Sequence, residues 1–218
     1  MRPSTIIFDL DGTLIDSEGD LRAAADWLLQ QFGAAPLSRQ EFRAMMGDGV
    51  AALVGRALVA RKCRVESAAD AVRGFLDYYE DHLTDTTRPY PGVHESLGNL
   101  CAQGLRLGLC TNKTMRITSA ILERLGLATY FAGVVAGDSV PYRKPDPRVL
   151  SGMLATFGVS RESAVMVGDS EVDAATADAT GVRFVLVTYG YHRGEVGKIP
   201  CIAALDEFTD LPSVLAEL

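Results

Sequence analysis

Short apolar runs punctuate most of this chain, each ending abruptly in a polar or glycine-containing segment, with stretches of helical spacing between them. Thr5-Ile6-Ile7-Phe8 is β-branched and aromatic, too short for a helix, and stops at Asp9-Leu10-Asp11-Gly12, which predicts a buried strand leading into a turn. Leu105 to Cys110, Gly133 to Ala136, Ala164 to Val167 and Phe184 to Val187 read the same way, while Met115 to Leu125, Pro147 to Phe157 and Val172 to Ala179 are predicted helices between them. Strand and helix alternating in this manner imply parallel β-α-β units, an α/β fold whose sheet is covered on both faces.

From about Ser17 to Leu83 the pattern is helical only. Leu21, Ala25, Leu28 and Phe32 recur at helical spacing and Gly33 supplies a stop; Ala51 to Ala60 and Ala68 to His82 continue as helices with no strand between them. The expected organisation is therefore a sheet-based core of residues 1–16 and 84–218, with a helical cap of residues 17–83 inserted after the first strand. Linkers fall near Ile15-Asp16-Ser17 and Thr84 to Pro89.

Composition narrows the function classes. Of 218 residues, 48% are hydrophobic and 22% charged, the balance of a globular protein. A formal charge of -7 leaves no broad cationic surface for a nucleic-acid backbone, so no nucleic-acid partner is expected. Asp9 and Asp11 interrupt the N-terminal apolar run before a signal peptide or membrane span can develop, which predicts a cytoplasmic protein with no membrane partner. Cys63, Cys101, Cys110 and Cys201 form no CxxC pair, so reduced, mostly buried thiols are expected. His82, His94 and His192 have no metal-ligand spacing.

Four polar motifs follow predicted strands. In Asp9-Leu10-Asp11-Gly12-Thr13, two carboxylates lie two residues apart where a glycine permits a sharp turn. Thr111-Asn112-Lys113 offers a hydroxyl and backbone N–H groups suited to phosphoryl oxygens, although the same residues could instead cap a helix. Arg143-Lys144-Pro145-Asp146-Pro147 holds Lys144 on a constrained path into a helix. Gly168-Asp169-Ser170-Glu171-Val172-Asp173 adds acidic residues that would also suit the first turn of any helix. Ligands of open parallel sheets bind beyond the carboxyl ends of the strands, where all four would meet. Carboxylates, a hydroxyl and one lysine, without histidines or thiols, suit Mg²⁺ and phosphoryl transfer.

In this order the motifs resemble the haloacid dehalogenase superfamily of phosphohydrolases. The phrases FDLDGTLIDS, YPGV, TNK, RKPDP, VGDSEVDAATADATG and VTYGY extend the similarity over nearly the whole chain, toward its phosphoglycolate phosphatase-like members. The resemblance implies a Rossmann-like core with an α-helical cap, Asp9 as nucleophile and Asp11 as general acid and base. It implies phosphate binding by Asp11, Gly12, Thr111, Asn112 and Lys144, with Lys144 also restraining Asp9. It implies Mg²⁺ bound by the Asp9 and Asp169 side chains and the Asp11 main-chain carbonyl, with Asp173 behind them. Cap residues Gly47, Asp48, Gly49 and Arg56 would read the substrate, Arg56 by meeting a carboxylate.

The activity so implied is removal of phosphate from a small phosphorylated metabolite, foremost 2-phosphoglycolate, by a monomer or homodimer. A sugar-phosphate phosphatase or phosphoglucomutase on the same scaffold is the alternative, and a non-catalytic phosphometabolite-binding protein a remote one. Glu18-Gly19 stands where the family has an apolar residue and proline, which predicts a more flexible entrance to the cap.

Overall fold

The computed structural model describes residues 2–218. Strand β1 (Thr5–Phe8) is followed by the short β2 (Ile15–Asp16) and by four helices, α1 (Glu18–Gln31), α2 (Arg39–Arg43), α3 (Val50–Ala60) and α4 (Ala68–Asp81). The chain returns through β3 (Arg88–Pro89), which pairs antiparallel with β2. Helices and strands then alternate: α5 (Val93–Ala102), β4 (Arg106–Cys110), α6 (Met115–Arg124), β5 (Gly133–Val135), α7 (Pro147–Phe157), β6 (Ala164–Gly168), α8 (Glu171–Thr180), β7 (Arg183–Val187), β8 (Ala203–Leu205) and α9 (Leu211–Glu217). Six strands make one parallel sheet in the order β5-β4-β1-β6-β7-β8, so this is an α/β fold with β1 and its nucleophile candidate at the centre.

Alternation of side chains along each strand builds two apolar layers. Ile6, Phe8, Val165, Val167, Val185 and Val187 face one way and pack with α5, α6 and α9 through Leu97, Ile121 and Leu215. Ile7, Met166, Phe184 and Leu186 face the other way, against Leu150 and Met153 of α7 and Ala177 of α8. Both faces are covered, which is why the strands carry continuous apolar runs and not a half-polar alternation. The structure adds elements that local pattern does not announce: β8 has three residues and β2 and β3 two each, and they exist through pairing with distant strands.

The connection between core and helical insert departs from expectation. Glu18 is 4% exposed, and its carboxylate takes hydrogen bonds from Arg39 and Arg43 at 2.7 to 3.0 Å. A side chain at Gly19 would collide with Thr86 Oγ1, its Cβ falling 2.3 Å away. One residue on, the buried Asp20 accepts hydrogen bonds from the backbone N–H and hydroxyl groups of both Thr86 and Thr87, tying the outgoing linker to the returning one. In place of the expected loosening the junction is pinned, because the buried Glu18 and Asp20 carboxylates each accept several hydrogen bonds. The four thiols are free as predicted, but only Cys110 is fully buried; Cys101 and Cys201 are exposed.

Candidate active site

Two of the motifs are held rigidly because the sheet's hydrogen-bond ladder continues one residue past the strand. Asp9 N–H donates to the Val167 carbonyl and Thr111 N–H to that of Val135, both at 2.9 Å. Asp9, Thr111 and Asp169 therefore project from neighbouring strand ends into one cavity of about 80 Å³. Asp11, Asn112, Lys113, Lys144, Gly47 and Gly49 line it as well, with Leu21, Met46, Val50, Leu53 and Val172 supplying apolar walls.

The deepest part is an ion cluster. Lys144 is buried and donates to Asp9 Oδ1 and Asp173 Oδ1, both at 2.7 Å. Asp173 Oδ2 accepts from the Ser170 hydroxyl at 2.6 Å and from the Ser170 and Asp169 N–H groups, so one side chain both caps α8 and anchors Lys144. Asp9, Asp169 and Asp173 each place a carboxylate oxygen within 4.8 Å of the others. Burial pushes the Asp9 carboxyl up to about 7 despite the opposing pull of Lys144. Burial also raises Asp169, and the neighbouring Asp173 and Asp9 charges add to it. Hard oxygen donors crowded into a dry site, with carboxylates that resist ionising unaided, fit a small divalent cation such as Mg²⁺.

Glycines make room for that crowding. A Cβ at Gly12, which has φ +85°, would sit 2.3 Å from Asp169 Oδ2, and one at Gly190 would sit 2.2 Å from the Asp169 Cβ. Gly12 itself is not among the cavity's lining residues; it backs Asp169. Thr13 Oγ1 donates to Asp169 Oδ1 at 3.2 Å and the Tyr191 N–H to Oδ2 at 2.5 Å, fixing the carboxylate from both sides.

Helix capping does not account for Thr111 or Asn112, since α6 starts at Met115 with Thr114 as its capping residue. Thr111 faces the cavity, and the Asn112 side-chain amide donates to the Lys144 carbonyl at 3.0 Å, joining the second motif to the third. Asp11 lies apart from the carboxylate cluster: both of its oxygens meet Lys113 Nζ at 2.9 Å, and Ser17 Oγ donates to Oδ1 at 2.5 Å. Burial works against the Lys113 charge, but the Asp11 carboxylate and the Tyr79 oxygen outweigh it and keep the ammonium protonated.

Gly47 and Gly49 line the cavity, but Asp48 and Arg56 do not. Arg56 bonds to the Met45 carbonyl and to Asp48, and Asp48 also pairs with Arg193, so these groups are spent on one another instead of on a substrate. Burial would raise Asp48, yet the two guanidiniums outweigh it and hold its carboxyl below the usual range.

A profile of the haloacid dehalogenase-like hydrolases matches residues 6–187, which reach from β1 to the end of β7 and include all four motifs. The chain belongs to that family. Phosphoglycolate phosphatase of Cereibacter sphaeroides is 40% identical over 215 residues, covering 98% of each chain. That of Rhodospirillum rubrum is 41% identical, covering 96% of this chain and 89% of the relative. The crystal structure of a predicted phosphoglycolate phosphatase from Haemophilus somnus superposes with a TM-score of 0.94 at 29% identity, covering 98% of both. As a haloacid dehalogenase-like hydrolase, the chain is a hydrolase similar along its whole length to phosphoric monoester hydrolases.

Three site residues escaped the sequence reading. The Tyr191 hydroxyl accepts from the N–H groups of Ser17 and Glu18 and donates to Asp16 Oδ1, bracing the linker from the opposite end of the chain. Arg193 donates to the Met46 carbonyl at 2.7 Å, joining the loop after β7 to the Gly47–Gly49 turn. Lys113 was visible within the second motif, but its neighbours Thr111 and Asn112 drew the functional reading. Among the described residues, no helix is long and apolar enough to cross a membrane.

Proposed function

We propose that this protein is a Mg²⁺-dependent phosphatase that hydrolyses a small phosphate monoester, foremost 2-phosphoglycolate, through an aspartyl-phosphate on Asp9. The observation that carries the reading is the buried set of Asp9, Lys144, Asp169 and Asp173 at the strand ends, inside a cavity sized for a small metabolite. Asp9, Asp169 and the Asp11 main-chain carbonyl would hold Mg²⁺, which supplies positive charge to the equatorial phosphoryl oxygens. Asp9 attacks phosphorus. Lys144 keeps its carboxylate aimed, and Thr111 with the Asn112 segment positions the phosphoryl group. Asp11 gives a proton to the departing oxygen and then takes one from the water that cleaves the aspartyl-phosphate.

Identity of about 40% to proteins named phosphoglycolate phosphatase supports the substrate. The apolar walls support it as well: Leu21, Met46, Val50, Leu53 and Val172 offer no side-chain hydrogen bonds to the hydroxyls of a sugar. With Arg56 turned to Asp48, a substrate carboxylate has to be met by other groups. The reading includes a cytoplasmic location, in keeping with a diffusible metabolite.

The test is steady-state kinetics on 2-phosphoglycolate, sugar phosphates and nucleotides. Phosphate release should need Mg²⁺, vanish in EDTA, and fall by at least about 10³-fold in Asp9→Asn. A kcat/KM preference for 2-phosphoglycolate below about tenfold would overturn the substrate, and release that persists in Asp9→Asn would overturn the mechanism.

A further inference from the structure

Lys113 is nearly inaccessible, yet it carries a charge into the cavity wall. An ammonium has three N–H donors. In Lys113 they face Asp11 Oδ1 and Oδ2 at 2.9 Å and the Tyr79 hydroxyl oxygen at 3.1 Å, and the ammonium lies 4.9 Å from the centre of the Tyr79 ring. All three donors are engaged, so none remains for a substrate. Lys144 differs, since two carboxylates engage two of its donors and leave the third for a phosphoryl oxygen. Tyr79 is fully buried in α4, part of the helical insert, whereas Asp11 and Lys113 follow β1 and β4 of the sheet. Asp11 is thus oriented by a core lysine that is itself braced from the insert.

We propose that Lys113, braced by Tyr79, is a positioning residue for Asp11, aligning it for proton transfer while the helical insert lies over the cavity. The inference rests on the phosphatase reading and deepens it. As an Asp9 carboxylate oxygen bonds to phosphorus and the P–O ester bond breaks, the Asp11 O–H bond breaks and the proton passes to the leaving oxygen. The carboxylate that results accepts the two hydrogen bonds from Lys113. That carboxylate then removes a proton from water as the water oxygen bonds to phosphorus and the bond from phosphorus to the Asp9 oxygen breaks, which releases phosphate, frees the Asp9 carboxylate and restores the Asp11 acid.

The need for this proton depends on the leaving group. 2-Phosphoglycolate departs as an alkoxide that must be protonated, whereas 2,4-dinitrophenyl phosphate departs as a stabilised phenolate. The experiment compares kcat/KM, which reports the first phosphoryl transfer, on both esters with Mg²⁺ present. Lys113→Met should lose about 100-fold on 2-phosphoglycolate and less than about fivefold on the dinitrophenyl ester, with KM for 2-phosphoglycolate changed by less than about threefold. Tyr79→Phe, which keeps the charge and the ring, should show the same selective loss at about fivefold or less. Equal losses on both esters, or no loss on either, would overturn the proposal while the phosphatase reading stands. If Lys113→Met does not fold, Tyr79→Phe decides alone, by the presence or absence of a loss confined to 2-phosphoglycolate. An unmodified protein inert toward both esters overturns both readings together.

Discussion

Lys144 and Lys113 are both buried in the wall of one cavity, and each holds the carboxylate of a residue in the first motif. Around Lys144 stand Asp9, Asp169 and Asp173, three carboxylates to one ammonium. Lys113 meets Asp11 alone, with the neutral Tyr79 hydroxyl as its third partner. Once ionised, the first group has more carboxylates than cations, an excess that a divalent cation would balance, and all of it comes from the sheet core. The second is balanced as it stands and borrows one member from the insert. In the proposed mechanism the contrast corresponds to two tasks that share a pocket: holding a phosphoryl group near a metal, and handling a proton beneath the helices of the insert.

Breaking the first group should have the largest effect. Lys144→Met would leave Asp9 and Asp173 buried without their cation, and loss of one partner from a buried pair costs about 3–5 kcal/mol. Thermal melts of the metal-free protein should show this, and added Mg²⁺ should recover part of it by balancing the same charges. At pH 8, above the raised Asp9 value, an unchanged midpoint would mean that these carboxylates do not depend on Lys144.

A smaller effect follows from pH. Burial raises Asp9 to about 7 and also lifts Asp169, so the folded protein retains protons that the unfolded chain has released above the ordinary value of 3.8. Where the folded state holds more protons, stability falls as pH rises. In EDTA the melting midpoint should drop between pH 5 and pH 7 by more than about 2 °C, and Mg²⁺ should flatten the slope. A midpoint that stays level or rises across this window in EDTA would contradict the crowded-carboxylate account.

The smallest effect belongs to the cap side. Arg193→Ala removes the hydrogen bond to the Met46 carbonyl and the ion pair with Asp48, both at a half-exposed position. Such pairs contribute about 1 kcal/mol or less, so the midpoint should hardly move. Because the bonds position the Gly47–Gly49 turn that lines the cavity, KM should rise by about two- to fivefold with kcat nearly unchanged. A fall in kcat with constant KM would instead place Arg193 with the proton-handling group.

The predicted strands and the helix Pro147–Phe157 were readable because their cause is local: a short β-branched run that ends in turn chemistry, and a proline at a helix start. Asp9, Lys144 and Asp169 were readable because parallel sheets direct the ends of their strands to one place. The placement of Asp48 and Arg56 was not readable, since the sequence puts both among the helices after the first strand but is silent on whether they face the cavity or each other. Phe32 continues the apolar stripe of α1 but is 41% exposed, because the helix ends one residue before it.

By itself, the sequence determined the alternation of elements, the run of helices after the first strand and the acidic motifs at the strand ends, because each is written in residues a few positions apart. Only the tertiary structure decided which groups meet across long stretches of chain. Tyr191 reaches Ser17 over 174 positions, Arg193 reaches Asp48 over 145 and Lys113 reaches Asp11 over 102. A single buried polar group constrains its partner strongly in space but imposes no spacing along the chain, so contacts of this kind leave no periodic trace to read.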